Sequence, residues 1–255
     1  ALDQAGIREF FETHYRAGNF VVAAAGDVDP GELAAGMQRR LAGRPGGAPP
    51  RRCPPTEPAR PSVLSPRPTE QVQLVVGVRG PGRHAPERWA LAVLNHVLGG
   101  GISSRLFQEV RERRGLAYSI WSERTHYDDA GMLSVHVGTA PDHVEEVLDL
   151  VHAELDRIAA SGITDRELAV AKGHLRAESL LSLEDSGARM SRIGSSLLLH
   201  GTVLEVDDIL ARVEAVTTDD VGALSAALLG GERTLAMVGP APSMRSRAAR
   251  SGRGR

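Results

Sequence analysis

"LNHVLGGGISSRLFQEVRERRGLAYSIWS", residues 94–122, runs through three consecutive glycines and then changes its hydrophobic period. The spacing predicts a helix over about 86–98, a turn at Gly99, Gly100 and Gly101, a second helix over 103–113, and a strand over roughly 117–127. The last joint carries Arg111 and Tyr118, seven residues apart. Working outward, "TEQVQLVVGVRGP" (69–81) predicts a strand before this block, and residues 131–139 predict one after it. Over 142–160, Val144, Val147, Leu148, Val151, Leu155 and Ile158 form an amphipathic helical stripe. Thr164 with Glu167 is a capping-box signature opening a helix of about 18 residues. Shorter helices are expected near 187–200, 206–213 and 218–228, then a last strand, "RTLAMVG" (233–239). Strands and helices are partly segregated instead of strictly alternating, which predicts an α+β class and not a doubly wound sheet.

The N-terminal flank reads as a separate piece. Residues 4–16 predict a helix with Ile7, Phe10, Phe11 and Tyr15 on one face, and "NFVVAAAGDV" (19–28) predicts a buried strand. Asp29 and Pro30 then open a helix through about residue 42, with Pro in its first turn. Residues 43–61 are a linker: seven of nineteen are Pro, which sustains neither helix nor central strand. Residues 241–255 read as a disordered basic tail. One internal echo bears on the division. Residues 7–28 and 221–241 share the order helix, short turn, apolar strand, Gly, with Gly26 and Gly239 at 213 residues' separation. Duplication and chance both account for an echo this loose. Under duplication the unit is a domain of about 200 residues. Residues 1–42 are then expected to be the end of a first copy beginning upstream of Ala1, and 62–240 the second domain.

Composition narrows the classes. The chain of 255 residues is 42% hydrophobic, within the range of a globular protein, and its net charge of −2 argues against a nucleic-acid-binding surface. Lys172 is the only lysine, so the arginine count reflects coding bias and carries little functional weight. A single cysteine, Cys53, excludes an internal disulfide framework and a cysteine metal cluster. No apolar run approaches a transmembrane helix and the start is not a signal peptide, so no membrane partner and a cytoplasmic location are expected. The first residue is not Met, so the natural N-terminus is expected to lie upstream.

Candidate chemistry is sparse. The nearest approach to a zinc helix is "HVEEV", in which His143 and Glu146 fit H-x-x-E-H but the fifth position is Val147. His152 lies nine residues from His143, on another face, and the other seven histidines are scattered. No metal ligand set is therefore expected in this chain. There is no G-x-S-x-G elbow, and "LGGGIS" lacks the ending of a phosphate loop. The triplet Gly99–Gly101 reads either as a backbone that can approach a ligand closely or as a helix cap and tight turn. Arg111 and Tyr118 likewise read two ways. Arg offers a fork of donors to a carboxylate or peptide carbonyl, and Tyr a hydroxyl for a carbonyl oxygen or developing oxyanion. Alternatively "RERR" is a solvated helix end suited to the negative pole of its dipole.

Residues 94–122, with "DDAGMLSVHVGTAP", "SLLLSLEDSGARMSRIGSSLLLHG", "VTTDDV" and the N-terminal "FFETHYRAGNFVVAAAGDVD", resemble the pitrilysin/insulinase family of zinc peptidases. The likeness is to the C-terminal half of its short bacterial, mitochondrial-processing-peptidase-like branch and covers roughly residues 3 to 240. It implies tandem α+β domains, each a mixed sheet packed against helices, facing each other across a chamber. In that family the first domain holds zinc through H-x-x-E-H and a distal Glu, with the motif's Glu as general base. This chain matches the first domain only from its final helix–strand–helix. The zinc site is therefore expected from preceding sequence or a partner chain, and this chain is expected to be inactive alone. The second domain's Arg and Tyr, which hold the peptide substrate, match Arg111 and Tyr118, and Gly99, Gly100 and Gly101 are implied to lie near the chamber. The alternative is a non-catalytic core subunit of the same fold.

Overall fold

The computed structural model describes residues 3–47 and 62–240. Most of the 43–61 linker, with Cys53, and the 241–255 tail lie outside the described residues. The chain divides into two compact units, one from Ala1–Pro54 with Ala177–Ile209, the other from Pro55–Arg176 with Leu210–Arg255.

The second unit is built on a five-stranded sheet: β1 (Ser62–Pro66), β2 (Val72–Gly80), β3 (Ala117–His126), β4 (Gly131–Thr139) and β5 (Thr234–Gly239). Its order is β1-β5-β2-β4-β3, with β1 parallel to β5 and the other pairs antiparallel. A mixed sheet with separate helices is the expected α+β class. Period-2 alternation buries Leu133, Val135 and Val137 of β4 to within 2% exposure, facing the helices. Those helices are α3 (Arg88–Gly99), α4 (Val144–Ser161) and α8 (Thr218–Leu229). The whole predicted stripe of α4, from Val144 to Ile158, is buried in the core cluster. The capping box of Thr164 and Glu167 forms as read: Glu167 N donates to Thr164 Oγ1 at 3.2 Å and Thr164 N to Glu167 Oε2 at 2.8 Å. It opens α5 (Asp165–Leu181). α7 (Val206–Glu214) leads to α8, which carries a second capping box, Thr217 with Asp220.

β1 was not anticipated. Its mostly exposed residues give no alternation, and Pro66 is its last residue; Pro is tolerated here because β1 is an edge strand. The helix expected over 103–113 is a π-helix over Phe107–Arg113.

In the first unit, α1 (Gln4–His14) is capped by Asp3, which accepts from Gly6 N at 2.8 Å. α2 (Pro30–Leu41) is capped by Asp29 with Pro30 in its first turn, as read. α6 (Ser186–His200) belongs to this unit and ends on Gly201 at φ 71°, a left-handed cap. Phe11, Tyr15 and Phe20 form an aromatic run, with Arg44 lying over the rings of Phe11 and Phe20. The strand expected over 19–28 does not form. Phe20 is extended, at φ −105° and ψ 136°, but residues 20–25 have no ladder partner among the described residues. A strand exists only where its N–H and C=O groups find another strand. The internal echo thus becomes helix then strand at α8 and β5, but helix then unpaired extended chain after α1.

Candidate functional site

Arg111 and Tyr118 come together from two irregular pieces of backbone. Leu116 N closes the segment on Val110 O, six residues back, at 3.0 Å, and Arg111 sits in the π-helix before that closure, Phe107–Arg113, which is wound i→i+5. Such i→i+5 turns concentrate at functional positions. Tyr118 sits in a β-bulge: Ala117 pairs with Thr139 and Ser119 with Gly138, which leaves Tyr118 as the extra residue. A bulge re-aims a side chain that strand alternation would send elsewhere. The Arg111 guanidinium lies 4.8 Å from the Phe107 ring centroid and 5.7 Å from that of Tyr118. Both distances are within cation–π range.

The three arginines of "RERR" differ in their partners. Arg113 and Arg114 donate to Glu109 at 3.0 and 2.9 Å, and Arg114 also reaches Glu146 at 3.4 Å. Those bonds hold the Glu109 carboxyl below the ordinary range and the Arg114 guanidinium above it. Among the described residues the nearest carboxylate to Arg111 is Glu112, at 3.9 Å, beyond a hydrogen bond. Tyr118 is 78% exposed, and the Arg111 side chain 42%. The pair therefore presents a guanidinium and a phenol to whatever lies opposite. The pair stands on an exposed surface of the described residues.

Gly99, Gly100 and Gly101 have packing reasons of their own. A Cβ on Gly99 would stand 2.6 Å from Ser122 N, so only glycine lets α3 meet β3 here. Ser122 Oγ donates to Asn95 O at 3.0 Å and fastens the same contact. Gly100 caps α3, its N–H bonding His96 O at 3.3 Å, and a Cβ on it would meet His96 Cα at 2.7 Å. Gly101 borders the His96 ring, which stacks on His174 at 4.2 Å. The triplet thus seats the end of α3 against the strand that carries Tyr118.

A cleft of about 1060 Å³ lies among β2, α3 and α8 and includes Trp89, Arg212, Leu224 and Leu228; neither Arg111 nor Tyr118 lines it. Its walls are mainly apolar helix faces.

The residues present do not fit a zinc ion. Among the described residues no group of three His, Cys, Asp or Glu could hold a metal. His143 precedes the first turn of α4, and Val147, where a second histidine would be needed, is completely buried in the core. Among the described residues no helix is long and apolar enough to cross a membrane.

Comparison with known proteins bears on the family and the fold. A family model described as the peptidase M16 inactive domain matches residues 1–175. A protein of Streptomyces coelicolor named an uncharacterized zinc protease is 42% identical over 252 residues, covering 94% of this chain and 54% of that one. A Mycobacterium tuberculosis protein of the same description is 40% identical, covering 96% and 57%. The chain spans about half the length of these curated relatives. Among solved structures, a peptidase M16 inactive domain from Pseudomonas fluorescens superimposes with TM-score 0.82 at 26% identity, covering 94% of this chain and 57% of that one. A chain of complex III2 from Candida albicans has TM-score 0.79 at 21% identity, covering 93% and 59%, a likeness of fold alone.

Proposed function

The chain belongs to the peptidase M16 family, and from that premise we propose that it is the substrate-binding portion of a zinc-dependent metalloendopeptidase. The zinc site comes from sequence preceding this portion or from a partner chain, because the described residues have no ligand set for it. The observation that carries the reading is the Arg111–Tyr118 pair: an arginine without a hydrogen-bonded carboxylate, lying 5.7 Å from the centroid of an exposed tyrosine ring. Arg111 donates to a peptide carbonyl or carboxylate, and its planar fork fixes the direction of approach. Tyr118 donates its hydroxyl to a carbonyl oxygen whose charge grows as the peptide bond is attacked. Both act by positioning the substrate backbone, which converts binding into turnover when the geometry is held closely. Gly99, by seating α3 on β3, holds the strand that presents Tyr118.

The test is peptide turnover by the complete enzyme, zinc-bearing part included, after Arg111→Ala or Tyr118→Phe. Turnover equal to the parent in both variants, with zinc content and melting temperature unchanged, would remove the pair from the site. The zinc-peptidase assignment would survive that result; absence of any peptide turnover by the complete protein is what would favour a non-catalytic core subunit of this fold.

A further inference from the structure

The face of the sheet turned away from the helices carries a second aromatic group. In β3, Trp121 lies between Ile120 and Ser122, at 4% and 6% exposure, and in β4 His136 lies between Val135 and Val137, each at 1%. Alternation therefore turns Trp121 and His136 to the open face. They are cross-strand partners, and their rings stack at 5.0 Å with only 4° between planes. The polar edge of His136 is engaged by Ser134, whose Oγ is 2.9 Å from Nε2, and Glu123 Oε2 lies 3.8 Å from the same nitrogen, beyond a hydrogen bond. Glu123 is in turn the cross-strand partner of Ser134. This arrangement holds the imidazole flat against one face of the indole. The indole, still 43% exposed, is left as a flat apolar platform.

Its place matters as much as its chemistry. β3 is an edge strand of the sheet, and Trp121 follows Tyr118 by three residues, a distance of about 10 Å along a strand. An extended peptide gripped at Tyr118 and lying along this edge passes Trp121 about three residues further on. We infer that Trp121, backed by His136, is a side-chain subsite that selects an aromatic or large apolar residue of the peptide. The inference rests on the substrate-binding reading of Arg111 and Tyr118. Planar rings suit the platform because offset stacking adds to simple burial.

The experiment uses the complete enzyme and quenched fluorescent peptides of one length, carrying Phe, Lys or Ala at each position in turn. At one position the parent should cleave the Phe peptide with kcat/KM about tenfold or more above the Ala peptide, the difference lying in KM. Trp121→Ala should bring that ratio to within about twofold, and Trp121→Phe should restore part of it. Tyr118→Phe should instead lower Phe and Ala peptides by a common factor. An unchanged Phe-to-Ala ratio in a folded Trp121→Ala variant overturns the subsite while leaving the Arg111–Tyr118 reading in place. A parent preference for Lys over Phe that Trp121→Ala abolishes overturns the aromatic assignment, since the indole would then serve a cation. Parent-like turnover in Tyr118→Phe and Arg111→Ala, with the Trp121 effect present, overturns the reading of the pair alone.

Discussion

Arg105 holds Glu167 by two parallel hydrogen bonds, Nε to Oε1 at 2.6 Å and Nη2 to Oε2 at 2.7 Å. The same guanidinium reaches Glu154 Oε1 at 3.1 Å and Gly162 O at 3.3 Å. One side chain just before the π-helix is thereby tied to α4, to the turn after it, and to the start of α5. The segment that carries Arg111 is anchored at its root by charge, and the core beneath it is apolar.

That anchor titrates. The Arg105 guanidinium, helped by Thr164 and opposed by burial, lowers the Glu167 carboxyl from 4.5 to about 2. A carboxyl depressed on folding contributes stability that is present above its unfolded value and is lost as pH falls through the folded one. Melting temperature should therefore fall on acidification from about pH 4.5 to pH 2, and the fall should be shallower in Glu167→Gln. Near pH 7 that variant should be less stable by roughly 1.5–3 kcal/mol, the worth of hydrogen bonds to a charged group. Denaturant melts across the pH range measure both; parallel pH curves for parent and variant would refute the assignment.

Tyr118→Phe removes one oxygen and keeps the ring under Arg111. In the complete enzyme it should lower kcat/KM by about ten- to a thousand-fold, since one oxyanion-directed or charged hydrogen bond is worth roughly 1.5–4 kcal/mol. Arg111→Ala should fall in the same range, with melting temperature nearly unmoved because both side chains are exposed. A drop in melting temperature that tracks the lost activity would assign the pair to structure.

Gly99→Ala should act at a distance. Its methyl would stand 2.6 Å from a backbone nitrogen of β3, so strand or helix must shift. Overpacking of this kind costs about 1–3 kcal/mol. Peptide turnover should fall with it, because β3 presents Tyr118. An alanine variant that melts like the parent would show that α3 and β3 are not in this contact.

Val147→His completes H-x-x-E-H on α4 in sequence, but Val147 is wholly buried. The imidazole would enter an apolar core without a partner, at a cost of about 1–3 kcal/mol or more. The variant should be destabilised and acquire no zinc. One tightly held zinc per chain by elemental analysis would contradict the core packing of α4.

The parts of the fold legible in sequence were those whose signal is local. The α4 stripe, the Thr164–Glu167 box and the strand over 131–139 each depend on near neighbours, and each formed where it was read. The irregular backbone was not legible. Phe107–Arg113 has the composition of an ordinary helix, and nothing in its spacing marks the wider turn. The bulge at Tyr118 depends on its pairing with β4, and the missing strand at 20–25 on a partner the described chain does not offer. The seven-residue spacing of Arg111 and Tyr118 could be seen beforehand, but not the Phe107 ring beneath the arginine. The Trp121–His136 stack was equally hidden, since only the β3–β4 register brings those residues opposite one another.

The π-helix under Arg111 has a genetic consequence. Such a turn corresponds to one residue inserted into an α-helix, and each α-helical residue advances the face by about 100°. Deleting a single codon between Phe107 and Val110 would let the segment relax to ordinary winding and swing Arg111 around the axis, away from Tyr118. Every side chain of the pair would survive in the translated sequence, yet the two would no longer meet. A lineage could lose this juxtaposition through one in-frame deletion, and a comparison that scores only residue identity would record both residues as retained.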